Sequence, residues 1–214
     1  MYIPEVFEES DVSVLQALVK EHPLGTWVTQ GDGGLAADHL PFVLDAGRGP
    51  YGTLRGHVAR ANRVWQATLS ASSLVVFQGP QGYVTPSWYP TKHVRGEVVP
   101  TWNYAVVHAH GLARVIHDHD WLLALVTDLT AEHESVRALP WKVADAPKEY
   151  VDRLLQSIVG VEIPIERLAG KWKVSQNRPE SDRRGVASGL EARDDDESKA
   201  MALLVRRRLA PDPK

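Results

Sequence analysis

Gly79–Tyr104 reads GPQGYVTPSWYPTKHVRGEVVPTWNY and holds five aromatic residues and four prolines in twenty-six positions. Each proline removes a backbone donor, and each buried indole or phenol needs a polar partner, so the stretch is poor material for a plain core strand. Read locally, Gly82–Tyr89 is a strand ending at Pro90, a turn carries Lys92, Arg95 and Gly96, and a return strand begins over Val98–Tyr104. Both ends of this hairpin, Thr85-Pro86-Ser87-Trp88-Tyr89 and Pro100-Thr101-Trp102-Asn103-Tyr104, set hydroxyls or an amide beside flat apolar rings. A planar ligand with a polar edge needs both features. The alternative is a pair of proline-interrupted edge strands whose tryptophans fill a barrel interior.

Upstream, Ser10 or Asp11 can cap a helix in which Val14, Leu15, Leu18 and Val19 share one face. Strands follow over Gly25–Thr29, Leu35–Leu44, Tyr51–Val58 and Leu74–Gln78, separated by the glycine turns at 31–34 and 47–50 and by a short helix from Arg60 through Trp65 to Leu69. Downstream, the return strand continues to Ile116, and Asp118 caps a helix from Trp121 to about Val136. Pro147 starts another helix, with Tyr150, Val151, Leu154, Leu155 and Ile158 as its apolar stripe, and Gly160 ends it. Val161–Leu168 alternates as a strand, extended by Gly170–Val174. Short strands joined by tight turns, with helices between them, predict a mainly β, α+β fold: a small antiparallel barrel with helical cover. The reading is one domain over residues 1–214 with a helical C-terminal tail from about residue 179, where acids at 194–197 precede and arginines at 206–208 follow an apolar run.

Composition narrows the chemistry. With 43% hydrophobic and 24% charged residues and a formal net charge of −3, the chain is an ordinary globular protein with no general pull toward nucleic acid. It has no cysteine, which excludes disulfides, zinc–thiolate sites and thiol nucleophiles. MYIPEVFEES lacks the basic start and apolar run of a secretory signal, and no stretch has the length of a membrane span, so a cytoplasmic protein without a membrane partner is expected.

Gly56-His57-Val58-Ala59-Arg60-Ala61-Asn62 runs from a strand into a helix start, where free N–H groups favour an anion and Arg60 and Asn62 could complete a phosphate site. Alternatively Arg60 solvates a turn and Asn62 caps the helix. Lys171-Trp172-Lys173 with Ser175-Gln176-Asn177-Arg178 gathers cations, an aromatic ring and two amides at a strand end, a second possible ligand edge. Among nine histidines, His108-x-His110 and His117-x-His119 share strand faces, but no third ligand stands at a metal spacing. Serine-elbow, P-loop, Rossmann and HExxH patterns are absent. Glu132 and Glu134 flank His133 but do not share a helix face with it, so no acid–base pair follows.

Taken together, MYIPEVF, HPLGTWVT, GLAADHLPF, GHVARAN, YVTPSWYPTK, VVPTWNY, PWKV and GKWKVSQNR resemble the FMN-binding negative transcriptional regulators of the PaiB type, in the FMN-binding split-barrel superfamily. The resemblance spans residues 1 to about 190 and implies a split β-barrel with peripheral helices, FMN as cofactor, and a homodimer with flavin near its interface. It implies that His57, Arg60 and Asn62 hold the FMN phosphate and that Ser87, Trp88 and Lys92 line the flavin. Thr101, Trp102 and Asn103 stand at the matching end of the hairpin, and the second subunit could contribute Lys171, Trp172, Gln176, Asn177 and Arg178. Trp27, Arg63 and Thr85 depart from the family's usual residues without removing any of these groups. The function implied is flavin-dependent sensing or regulation. The alternatives are an FMN-dependent oxidoreductase without direct DNA binding, or a haem-binding split barrel using His39, His57 or the paired histidines. Any DNA contact would fall to Arg183-Arg184 or Arg206–Arg208.

Overall fold

In the computed structural model, which describes residues 1–31, 33–67 and 72–209, the order of elements is as follows. Strand β1 (Glu8–Glu9) leads into helix α1 (Val12–Glu21), then β2 (Leu24–Gly31), β3 (Gly34–Pro41), β4 (Val43–Asp45) and β5 (Thr53–Ala59). Helix α2 (Val64–Ala67), strand β6 (Ser72–Val84), the one-turn helix α3 (Lys92–Arg95), β7 (Thr101–Leu112) and β8 (Arg114–Ile116) come next. Helices α4 (His119–Glu134) and α5 (Lys148–Leu155), strands β9 (Ile158–Pro164) and β10 (Arg167–Lys173), and helices α6 (Glu180–Glu191) and α7 (Asp196–Arg206) complete the chain. Helix and strand are present in about equal measure.

The chain divides into two units, one of Met1–Asp11, Gln78–Val107 and Ala169–Lys214, the other of Val12–Phe77 and His108–Leu168. In the first unit the strand order is β1-β10-β7-β6, with Glu8 opposite Lys171. Gly82 of β6 admits α6 closely, since a Cβ there would meet Leu190 at 3.4 Å. Leu190, Val186, Met201, Ala202 and Val205 are all buried, so α6 and α7 close over one apolar seam. Asp195 accepts from Ser198 N at 2.7 Å and caps α7, while Asp196 and Glu197 stand in its first turn and Arg206 in its last, as the charge pattern predicts.

In the second unit β2 lies between β6 and β3, Trp27 facing Val75 on one side and Asp38 on the other, while β4-β5-β9-β8 form a second antiparallel sheet. Phe42 and Phe77 meet edge to face at 5.9 Å. Gly25 is required beside them, because a Cβ there would lie 2.6 Å from Val75. Asp118 caps α4 by accepting from Trp121 N at 2.8 Å, as its position predicts, and α4 buries Leu122, Leu125 and Leu129. Within α1, Leu15, Leu18 and Val19 are buried while Val14 is exposed.

The strand read from Val161 through Val174 divides into β9 and β10, and the return strand read to Ile116 divides into β7 and β8, each pair split between the two sheets, and three further expectations change. Leu35–Leu44 is not one strand: it breaks at Phe42, whose N–H donates to Pro23 O at 2.9 Å, so β3 and β4 enter different sheets. The strand read over Gly82–Tyr89 ends at Val84, because Thr85 accepts from Ser87 N and Pro86 opens a 3-10 turn over Pro86–Trp88. Gly160 lies inside β9, where Trp121 sits so close that a Cβ would be 2.4 Å from its ring. The turn expected around Asp32 and the helix end at Leu69 lie outside the described residues.

Candidate functional site

In the second unit, β5 carries His57 opposite Gly160 of β9 and delivers Arg60 and Asn62 to the turn that follows. Burial lowers the pKa of His57, which keeps the ring neutral at pH 7, and its buried Nδ1 has no hydrogen-bond partner among the described residues. Arg60 clamps the α5–β9 junction, donating from Nε to Gln156 O at 2.7 Å and from Nη2 to Ile158 O at 2.8 Å. Its Nη1 lies 3.4 Å from His117 Nδ1. Asn62 does two things at once: Oδ1 accepts from Val64 N at 3.0 Å and caps α2, while Nδ2 donates to Asp38 at 2.6 Å. The described helix there is a single turn, so it contributes little macrodipole toward an anion.

The first unit gathers the remaining candidates. Lys173 Nζ donates to Thr101 Oγ1 at 2.6 Å and to Trp102 O at 3.0 Å, fixing the start of β7. Trp102 is half exposed, its Nε1 donating to Gln81 at 3.0 Å and its ring meeting Tyr83 edge-on at 6.1 Å. Asn103 is fully buried, and its Nδ2 donates to Ser175 Oγ at 3.0 Å. Lys171 lies over the rings of Tyr104 and Tyr2, at 5.4 and 5.8 Å, and donates to Tyr2 O at 3.1 Å. Gln176 folds back onto its own loop, donating to Trp172 O and accepting from Val174 N at 2.7 Å. Trp172 is buried, Asn177 is exposed, and the Arg178 guanidinium lies 5.0 Å over the Tyr89 ring. Burial raises the Tyr89 pKa, an effect that Arg178 opposes.

The outer turn of the hairpin divides. Ser87 and Lys92 are exposed, whereas Trp88 is taken up by α6: a Cβ on Gly189 would lie 2.3 Å from its indole, and Arg193 lies over the ring at 5.0 Å. Asp38 is a structural partner that the sequence alone did not bring to the site, and Lys173 and Ser175, which it placed at the second ligand edge, are partners of Thr101 and Asn103. Lys173 stands in the same KWK run as two candidates, but Asp38 and Ser175 act through contacts 24 and 72 positions distant. Among the described residues no cluster of three or more His, Asp or Glu could hold a metal ion.

A family model described as "Putative FMN-binding domain" matches residues 1–167. The chain belongs to this FMN-binding family. An uncharacterized protein of Emericella nidulans is 38% identical over 97% of each chain. The protease synthase and sporulation protein PAI 2 of Bacillus subtilis is 32% identical over 98% of each chain, in line with the PaiB-type resemblance. Among solved structures, the FAD and heme binding protein from Mycobacterium smegmatis superposes with a TM-score of 0.58 over 78% of this chain and 73% of that one, at 16% identity. That likeness bears out the split barrel with added helices. The cofactor of this FMN-binding protein is FMN.

Proposed function

We propose that this FMN-binding protein is a flavin-dependent sensor or regulator that acts without a basic footing of its own on DNA. The observation that carries the reading is the state of its arginines. Arg183 donates to Arg208 O at 2.7 Å and Arg184 to Glu180 at 2.6 Å. Arg206 forms a bidentate pair with Glu191 at 2.5 and 2.6 Å, and Arg208 pairs with Glu9. Phosphate binding would have to break these contacts. The regulatory reading itself draws on the whole-length relation to PAI 2.

Each unit, taken by itself, offers donor types that FMN can use. In the second unit, Arg60 Nη1, which bonds no carbonyl, suits a phosphate, whereas the His57 nitrogen is buried and both ends of the Asn62 amide are already bonded. In the first unit, the half-exposed Trp102 and the exposed Ser87, Lys92 and Asn177 suit a flat ring with a polar edge. Thr101, Asn103, Trp172 and Gln176 hold the backbone and rings around them, and Lys171 and Arg178 supply positive charge. Bound FMN supplies the redox chemistry, and these side chains supply binding and orientation. Tyr83 and Trp102, whose rings meet, are 40% and 50% exposed, an apolar pair suited to a second copy of the chain.

Stopped-flow mixing of the FMN-loaded protein with NADH or NADPH tests the reading. Reduction much slower than any useful turnover, with or without an added acceptor, is expected of a sensor. Repeated turnover with an acceptor would make the protein an oxidoreductase instead.

A further inference from the structure

The second unit holds a trough of about 860 Å3 between α4, residues 142–146 and α5, and no residue proposed above for FMN lines it. Its walls are apolar, from Leu123 and Ala131 on α4 to Val143 and Val151, with Trp141 at the side. The α4 hydroxyls facing it are already committed to their own helix, Thr127 to Leu123 O and Thr130 to Val126 O, both at 2.7 Å. The wall therefore offers a ligand apolar contact and few free donors.

Charge is concentrated at one end, and it is unequally satisfied. His119 lies 3.2 Å from Asp120 and 3.0 Å from Asp152, and Lys148 lies 2.5 Å from Asp152. Asp152 thus has a cationic partner in Lys148, and Asp120 has His119, whose protonated form the two aspartates favour. Lys142 also lines the trough and is exposed; its backbone N–H donates to Asp145 at 2.9 Å, while its ammonium forms no ion pair among the described residues. Trp141, next to it, is 48% exposed. An open indole beside an unpaired ammonium suits an apolar body that ends in an anion, and the two aspartates already carry partners.

We propose that this trough binds a small aryl or short-chain acyl carboxylate, its apolar body against α4 and Trp141 and its carboxylate on Lys142. The site stands independently of the sensor reading, and it would give such a sensor a place for its effector.

Calorimetric titration of the FMN-loaded full chain tests it, with phenylacetate, octanoate, phenylacetamide and phenethylamine as probes. One acid per chain is expected to bind. The amide should bind about tenfold more weakly, in line with loss of one charge-assisted contact, and the amine should not bind. Lys142→Gln should weaken the acids by about tenfold while leaving the thermal midpoint unchanged, because the side chain is exposed. Ala131→Trp, which fills the trough from an exposed position, should abolish binding of all probes. Equal binding of acid and amide, preference for the amine, or indifference to both substitutions would overturn the proposal. So would a loss of self-association in Ala131→Trp with no acid binding in the parent chain, which would assign the trough to a second copy.

Discussion

Ser175 shows how single residues here resist reading from sequence. It adopts φ 68°, the left-handed region, without being glycine, at a cost of roughly 1–2 kcal/mol. Its hydroxyl is what offsets that cost, bonded to the buried Asn103 amide 72 positions away. Ser175→Ala should therefore destabilise the chain by about 1–3 kcal/mol, since it leaves a buried amide short of a partner while keeping the strain. Ser175→Gly loses the same bond but relieves the backbone, so its urea midpoint should lie above that of the alanine variant; the reverse order would contradict this account. Arg48 makes a bidentate pair with the buried Glu162, at 2.7 and 2.8 Å, and Arg114 adds a contact at 3.6 Å. Arg48→Ala should cost about 2–3 kcal/mol in the same measurement, below the range for a fully buried pair because Arg48 is half exposed and Arg114 remains. His108 adds a pH dependence, its pKa lowered to about 4 by burial, with His110 and Arg167 adding to the effect. The folded chain then refuses a proton that the unfolded chain accepts below about pH 6.5. Its stabilising effect is full above that pH and is lost as pH falls toward 4. His108→Gln should flatten the fall in thermal midpoint between those limits, and an unchanged slope would refute the assignment.

At the scale of elements, what was legible was what local chemistry determines. Asp118 and Pro147 announce α4 and α5 because capping and proline geometry act within a turn. The break between β3 and β4 was hidden, because it rests on the bond from Phe42 N to Pro23 O, beyond any local pattern. Gly160 looks like a terminator in sequence yet, like Gly111, lies within a strand. Trp121 crowds one, and a Cβ on the other would meet Pro164 O at 2.2 Å. The hairpin shows both sides. Its aromatic and polar residues were readable as a ligand-type set, but the use of Trp88 by α6 was not, because it depends on Gly185 and Gly189 about 100 residues downstream. Gly189→Ala tests that packing. Helix propensity alone would gain about 1 kcal/mol, but a methyl group 2.3 Å from the indole should cost about 1–3 kcal/mol, so the net change should be a lower melting temperature. A higher one would show that Trp88 yields freely.

For the whole molecule, composition and motif were enough to indicate the family, because the matching segments recur from the first residues to the KWKVSQNR run. The exact partners of each side chain came only with the fold: Arg60 on two carbonyls, Asn62 shared between Asp38 and α2, Lys173 on Thr101. No helix among the described residues is long and apolar enough to cross a membrane. That this chain holds FMN through donors of these kinds can be read from its colour. The visible absorption spectrum of the purified protein would be recorded after incubation with FMN and removal of the excess by gel filtration. Flavin bands retained at close to one FMN per chain are the predicted result, and a colourless protein that retains no flavin would contradict it.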